Sequence, residues 1–129
     1  MTFKQFFSSL LIASTVIFLF ACQEEEQLKI HEYIFCSIDT ASITDNSVVL
    51  KWTRSNAVDF NHYQVHRSKV RGFSPSSSSF LRDIYNREQT KDTVFPLLAG
   101  STYFFKVLLF TQDGSSTESN EASAKTISY

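Results

Sequence analysis

The sequence predicts an all-β domain, an antiparallel sandwich of seven strands, behind an N-terminal export segment. From about residue 38 onward, short runs of alternating polar and apolar residues recur at intervals that suit such a sandwich. Thirteen Phe, five Tyr and one Trp in 129 residues also favour strands. The length leaves room for one ordinary domain, because single domains most often contain about 100–150 residues.

Residues 1–21 are predicted to be a signal peptide. Lys4 supplies a cationic start, and the apolar run from Phe6 to Phe20 is interrupted only by Ser and Thr. The alternative is a transmembrane anchor, which needs about 18–20 continuous apolar residues. This run is shorter and ends at Cys22 beside an acidic stretch, so the sequence favours a removable signal.

The four residues that end this segment, Leu19-Phe20-Ala21-Cys22, resemble the lipobox of bacterial lipoproteins. Phe20 departs from the usual smaller residue. The resemblance implies that the Cys22 thiol carries diacylglycerol and that Cys22 becomes the first residue of the mature chain. The membrane is then a partner through the lipid on Cys22. The alternative is an ordinary secreted protein with an incidental cysteine.

Residues 22–37 are predicted to be a lipidated cysteine followed by an acidic tether. Gln23-Glu24-Glu25-Glu26 resembles the acidic tag of surface-exposed lipoproteins of the Bacteroidota, which implies an outer-membrane lipoprotein in the cell envelope, exposed at the surface. A plain solvated tether would also be polar. Near its end, the apolar neighbours of Cys36 favour a buried thiol over a reactive one.

The charge balance argues against a nucleic-acid partner. Only Lys4 precedes Cys22, so the mature part contains 11 basic and 13 acidic residues, a net charge of −2. Such a balance provides no electrostatic footprint for nucleic acid.

Seven strands are predicted within residues 38–129. Alternation in the second strand places Val48, Leu50 and Trp52 on one core-facing side. In the third strand, Tyr63 and Val65 face the core by the same argument. The predicted strands lie at about 38–43, 47–53, 60–67, 80–84, 93–95, 103–111 and 120–127, with a hairpin at 113–114 before the last.

Three segments in order resemble fibronectin type III modules: Val49-Leu50-Lys51-Trp52, Tyr63-x-Val65, and Leu97-x-x-Gly100-Ser101-x-Tyr103-x-x-x-Val107. The Pro-rich start that is usual in the family is missing. The resemblance implies an immunoglobulin-like sandwich of seven strands over residues 38–129, with Trp52, Tyr63 and Tyr103 in the core and Tyr103 in a tyrosine corner. Residues 65–68 and 72–75 are similar to modules found beside bacterial carbohydrate-active enzymes.

The sequence predicts no catalytic residue, no metal site and no cofactor. His62 and His66 have the spacing of a helical zinc pair, but on a strand their rings stand roughly 13 Å apart, too far for one metal ion. There is no Gly-x-Ser-x-Gly elbow and no recognisable carboxylate pair. We therefore expect a non-catalytic interaction or spacer module that binds protein or glycan at the cell surface. The alternative is a carbohydrate-binding or accessory subunit of a surface polysaccharide-degrading enzyme system.

One sheet face is predicted to be the binding surface. If the odd-numbered residues of the strand at 103–111 fill the core, the even-numbered ones point outward, and most of these are apolar. Histidines of the neighbouring strand add a polar margin. The alternative is that the residues before Ile38, including Ile30, Tyr33, Ile34 and Phe35, fold back as an extra strand or cover this face. The predicted binding residues are Phe104, Leu108, Phe110, His62 and His66.

A basic patch surrounds the long serine-rich connection between the third and fourth strands. Its members are Arg67, Lys69, Arg71 and Arg82. The patch is suited to an anionic partner, although four solvated charges on a slightly acidic domain are more often without a specific role.

Overall fold

The computed structural model describes residues 32–129, which form two antiparallel β-sheets around one core. The smaller sheet has the order β1-β2-β5, and the larger has the order β4-β3-β6, with β7 and β8 both pairing with β6. The predicted all-β sandwich is confirmed. The elements are β1 (Cys36–Ile38), a 3-10 turn (Thr40–Ser42), β2 (Val48–Trp52), β3 (Phe60–Ser68), β4 (Phe80–Ile84), β5 (Lys91–Val94), β6 (Thr102–Thr111), β7 (Ser116–Glu118) and β8 (Ala122–Lys125).

Within residues 32–129, no helix has the length and apolar character needed to span a membrane. The predicted signal peptide and Cys22 lie outside the described residues.

Alternation fills the core from both sheets, as predicted. Val48, Leu50 and Trp52 are buried on β2, and Tyr63 and Val65 are buried on β3. Every second side chain of β6 also points into the interior, because successive residues of a strand point to opposite faces. These residues are Tyr103, Phe105, Val107 and Leu109.

The first strand lies nearer the N-terminus than the predicted 38–43. Cys36 pairs with Trp52 of β2, and the side chains of Ile34 and Cys36 are buried in the core. The Asp39 carbonyl accepts a hydrogen bond from the Ser42 amide (3.0 Å), which turns the chain where the strand had been predicted to continue. The end of the predicted tether is therefore part of the domain.

Cys36 is a buried free thiol, as the sequence predicts. Burial raises its pKa to about 12, because the thiolate would lose its hydration inside the core. The thiol therefore stays protonated at neutral pH and is a poor nucleophile.

The last predicted strand, at 120–127, corresponds to β8, and the short β7 before it was not predicted, so the domain has eight strands instead of seven. Ser119 interrupts the ladder but still bonds to Val107 on β6, through its amide and its hydroxyl (both 2.9 Å). The Asn120 side chain then turns to β1: its Nδ2 donates to the Cys36 carbonyl (2.9 Å), and its Oδ1 accepts from the Cys36 amide (2.8 Å). Asn120 thus joins an edge of the smaller sheet to the larger sheet.

Two buried tyrosines anchor loops through their hydroxyl groups. Tyr103 accepts a hydrogen bond from the Leu98 amide (2.9 Å), which confirms the predicted tyrosine corner. Tyr63 accepts from the Ser55 amide (2.8 Å) and donates to the Arg87 carbonyl (2.9 Å). Both phenols fix loop backbone against the core.

Candidate functional site

The outer face of the larger sheet is partly covered by the loop at 69–79, which the alternation of β6 did not predict. Phe73 of this loop is buried, and its carbonyl accepts a hydrogen bond from Lys106 Nζ (2.8 Å). The Arg71 guanidinium lies 5.4 Å from the centre of the Phe104 ring. Phe104 is therefore buried rather than exposed.

The segment at 30–35 does not supply this cover in the part that the structure describes. Ile34 lies in the core, and Tyr33 and Phe35 are exposed. The cover comes instead from a loop in the middle of the chain, and this loop leaves Phe110 half-buried beside an open cleft.

His66, predicted to face solvent, is also buried, with only 2 % of its surface exposed. Its Nδ1 is hydrogen-bonded to Ser79 Oγ (2.8 Å), and its Nε2 is hydrogen-bonded to Gln64 Oε1 (2.7 Å). Burial lowers the pKa of His66, because desolvation penalises the imidazolium. His66 is thus a neutral ring at pH 7 that fixes Ser79 and Gln64.

Beside His66 lies an open cleft of about 330 Å³, which we name the aromatic cleft. Apolar side chains from β4 and β6 form one part of its lining, and the serine-rich loop and two polar side chains of β3 form the rest. The lining residues are Gln64, His66, Pro75, Ser76, Ser77, Phe80, Leu108 and Phe110.

A row of rings continues from the aromatic cleft across the sheet. The His62 imidazole stacks on Phe110 with ring centres 4.7 Å apart and planes inclined by 4°. Tyr85, which is 67 % exposed, is the third ring of the row, and its ring centre lies 5.1 Å from that of His62. Asp83 is a polar group at the margin of this row. Its Oδ1 accepts a hydrogen bond from Gln64 Nε2 (3.1 Å) and lies 3.4 Å from His62 Nε2.

A second open cleft, of about 460 Å³, lies where β3 ends and β6 begins, and we name it the cationic cleft. The Arg67 Cζ and Lys69 Nζ atoms lie 5.8 and 5.4 Å from the centre of the same Tyr103 ring. The lining residues are Arg67, Ser68, Lys69, Ser78, Ser79, Pro96, Leu98 and Tyr103.

The predicted basic patch is divided by the structure. Arg67 and Lys69 share the cationic cleft, whereas Arg71 lies over Phe104. Arg82 instead forms an ion pair with Asp92, with Nε 3.1 Å from Oδ2. Only the first two therefore remain together beside an open surface.

Of the five predicted binding residues, His66, Leu108 and Phe110 line the aromatic cleft. The His62 ring stacks on the Phe110 ring, and Phe104 lies beneath Arg71 of the loop at 69–79. The alternation did not find Phe80, the first residue of the edge strand β4, or Tyr85, which directly follows its last residue. The sequence signal for these two residues is a large aromatic side chain at each boundary of a predicted edge strand.

Residues 32–129 contain no group of three His, Cys, Asp or Glu side chains placed to hold a metal ion. The described clefts offer rings, hydroxyl groups and cations, which suit binding of an organic ligand.

Comparison with known families gives a match between residues 37–125 and the model of the fibronectin type III domain. The chain belongs to the fibronectin type III family. The two clefts are thus surface features of a fibronectin type III sandwich whose interior is filled by its core. No curated protein matches the chain.

Solved structures with the same fold include two bacterial enzymes of polysaccharide breakdown. A pectate lyase from Pectobacterium carotovorum is 20% identical, with a TM-score of 0.56, over 72% of this chain and 26% of that one. An exopolygalacturonase of family 28 from Yersinia enterocolitica is 17% identical, with a TM-score of 0.58, over 76% of this chain and 21% of that one. The fibronectin type III chain thus spans about a quarter of each enzyme or less.

A single domain of a human protein is also similar. The fibronectin type III domain of a human fibronectin type III domain containing protein is 18% identical, with a TM-score of 0.53, over 76% of this chain and 87% of that one. At these identities the likeness shows the fold alone. The fold is thus shared with a part of each enzyme chain and with a domain of the human protein.

Proposed function

We propose that this chain is a lipid-anchored, non-catalytic module whose fibronectin type III domain serves as an interaction or spacer unit at the cell surface. The observation that carries the proposal is the filled interior: the described clefts are open surface features beside a closed core. A domain of this kind acts through its surface, because within residues 32–129 the core fills the interior and the two clefts are open to solvent.

The anchor rests on the sequence Leu19-Phe20-Ala21-Cys22, placed where cleavage of the signal is expected. Lipid on Cys22 would attach the mature chain to the membrane, since two or more acyl chains give stable attachment. The acidic residues Glu24, Glu25 and Glu26 make no favourable electrostatic contribution to binding anionic lipid, which leaves the acyl chains to hold the protein.

Replacing Cys22 with Ala tests the anchor. We expect Cys22→Ala to abolish incorporation of labelled palmitate and to leave unprocessed precursor, because the acceptor thiol is gone. Cys36→Ala is the matched control and should keep the label, since Cys36 is buried in the core. Labelled palmitate on the Cys22→Ala protein would contradict a lipid anchor at this position.

A second candidate function is glycan binding as an accessory unit of a polysaccharide-degrading system. The row of rings formed by Phe110, His62 and Tyr85 favours it, with Gln64 and Asp83 as polar groups at its margin. Aromatic faces pack on the C–H faces of sugar rings, and neighbouring polar side chains orient the hydroxyl groups. Fold neighbours among enzymes that degrade polysaccharides also support this candidate.

Calorimetric titration of the full chain with cellohexaose, xylohexaose and mannohexaose tests this candidate. We expect Tyr85→Ala and Phe110→Ala to weaken binding of the preferred oligosaccharide about tenfold each, the loss of one stacking contact. Tyr33→Ala removes a ring of similar exposure outside the row and should leave affinity unchanged. Failure of the unaltered chain to bind any of the three, or an equal loss in Tyr33→Ala, would reject the candidate.

A further inference from the structure

The cationic cleft gathers two positive charges over one ring. Arg67 is the second-last residue of β3 and Lys69 follows the strand, while Tyr103 lies near the start of the neighbouring β6. Both cations therefore reach the Tyr103 face within 6 Å of its centre. The tyrosine corner holds the ring in place, because the Tyr103 hydroxyl is fixed by the Leu98 amide.

Neither cation has an acidic partner among the described residues. Other cations of the domain do have one: Lys51 pairs with Asp39, Arg54 with Glu88, Arg82 with Asp92 and Lys106 with Glu118. The cation–π contacts offset part of the mutual repulsion between Arg67 and Lys69. A bound anion would remove the repulsion and form charge-assisted hydrogen bonds with both groups.

The remaining lining indicates what kind of anion fits. The cleft volume of about 460 Å³ is far larger than a single inorganic ion needs and lies in the usual range of small-ligand sites. Pro96 and Leu98 are exposed apolar surface on one part of the lining, and Ser68 and Ser78 supply hydroxyl groups on another. Such a mixture suits a ring with an apolar face, several hydroxyl groups and one carboxylate.

We infer that the cationic cleft binds an acidic sugar unit, with the carboxylate held between Arg67 and Lys69. The guanidinium offers paired N–H donors to the two carboxylate oxygens, and the ammonium adds a second positive charge. The sugar ring packs on Pro96 and Leu98. This inference goes beyond the anchored module and assigns a ligand class to a surface separate from the aromatic cleft.

Tetragalacturonate, its fully methyl-esterified form and inorganic phosphate are the probes, titrated into the ¹⁵N-labelled full chain in a non-ionic polyoxyethylene detergent. We expect tetragalacturonate to shift the amide signals of Ser68, Lys69 and Leu98, with an affinity that falls as salt rises. The ester has the same shape without the charge and should bind at least about tenfold more weakly.

Substitution of the two cations completes the test. Arg67→Gln combined with Lys69→Gln should weaken tetragalacturonate binding about tenfold or more, whereas Lys91→Gln removes one charge from β5 and should leave it unchanged. Lys69→Gln alone alters an exposed side chain, so it gives a readout even if the double variant folds poorly.

Equal binding of the ester, unchanged affinity in the double variant, or no binding of tetragalacturonate would overturn the inference. Phosphate that binds as tightly and displaces the sugar would also overturn it, because the cleft would then accept any anion. The lipid anchor and the aromatic cleft are tested with other variants and with neutral glycans. A failure of either of those proposals can therefore be distinguished from a failure of this inference.

Discussion

Asn120→Ala should lower the free energy of unfolding by about 2–4 kcal/mol. The Asn120 side chain bonds to both the amide and the carbonyl of Cys36, and its removal leaves two backbone groups of a buried residue without partners. Each such unpaired group costs about 1–3 kcal/mol. Chemical denaturation followed by the fluorescence of Trp52, the single tryptophan, measures the change.

Asn61→Ala is the matched control, since Asn61 is exposed and its side chain bonds to the adjacent His62 on the same strand. Its effect should stay within about 0.5 kcal/mol, as for most surface substitutions. A denaturation midpoint for Asn120→Ala equal to that of the control would show that the link between the sheets contributes nothing to stability.

Phe104→Ala should lower the free energy of unfolding by about 3 kcal/mol. Phe104 lies on the outward side of β6 but is only 6 % exposed, because the loop at 69–79 covers it. Its truncation leaves a cavity beneath Arg71, and large-to-small changes at buried Phe cost about 3–5 kcal/mol. Denaturation of the full chain measures this effect.

Phe110→Ala is the comparison on the same strand and the same face. Phe110 is half-buried and open to the aromatic cleft, so we expect a loss of about 1 kcal/mol from its stacking on His62. Equal losses for the two variants would mean that the loop does not protect Phe104 in solution. A large difference separates the structural part of this face from the part available to a ligand.

The strand positions and the core-facing residues could mostly be predicted from the sequence, because alternation of polar and apolar residues is a local property. The edge strand at 80–84 matches β4, and the long strand at 103–111 matches β6 within one residue. The first strand was misplaced because the apolar residues Ile34 and Cys36 follow an acidic stretch and looked like the end of a tether. The pairing of Cys36 with Trp52 of β2 is a tertiary contact that the local pattern does not contain.

The outer face was less predictable, because alternation gives the direction of a side chain but not what covers it. His66 and Phe104 do leave β3 and β6 on the outward side, and both are buried by a loop without secondary structure of its own. The cationic cleft was unpredictable for the same reason. The sequence predicts a basic patch that includes Arg67 and Lys69, but their position over the Tyr103 ring depends on the tertiary contact between the end of β3 and the start of β6.

The Asn120 link also determines how the domain would carry tension from an anchor at its N-terminus. A pull at the N-terminal side of the described chain would first load the Glu32 carboxylate, which accepts hydrogen bonds from the Ser55 hydroxyl and the Asn56 amide, and then β1, which pairs with β2 at three residues. Through Cys36, Asn120 would pass part of that load directly to the strand pair β6 and β8. Such a load would thus be shared by both sheets, which would protect the short first strand from separation from its neighbour.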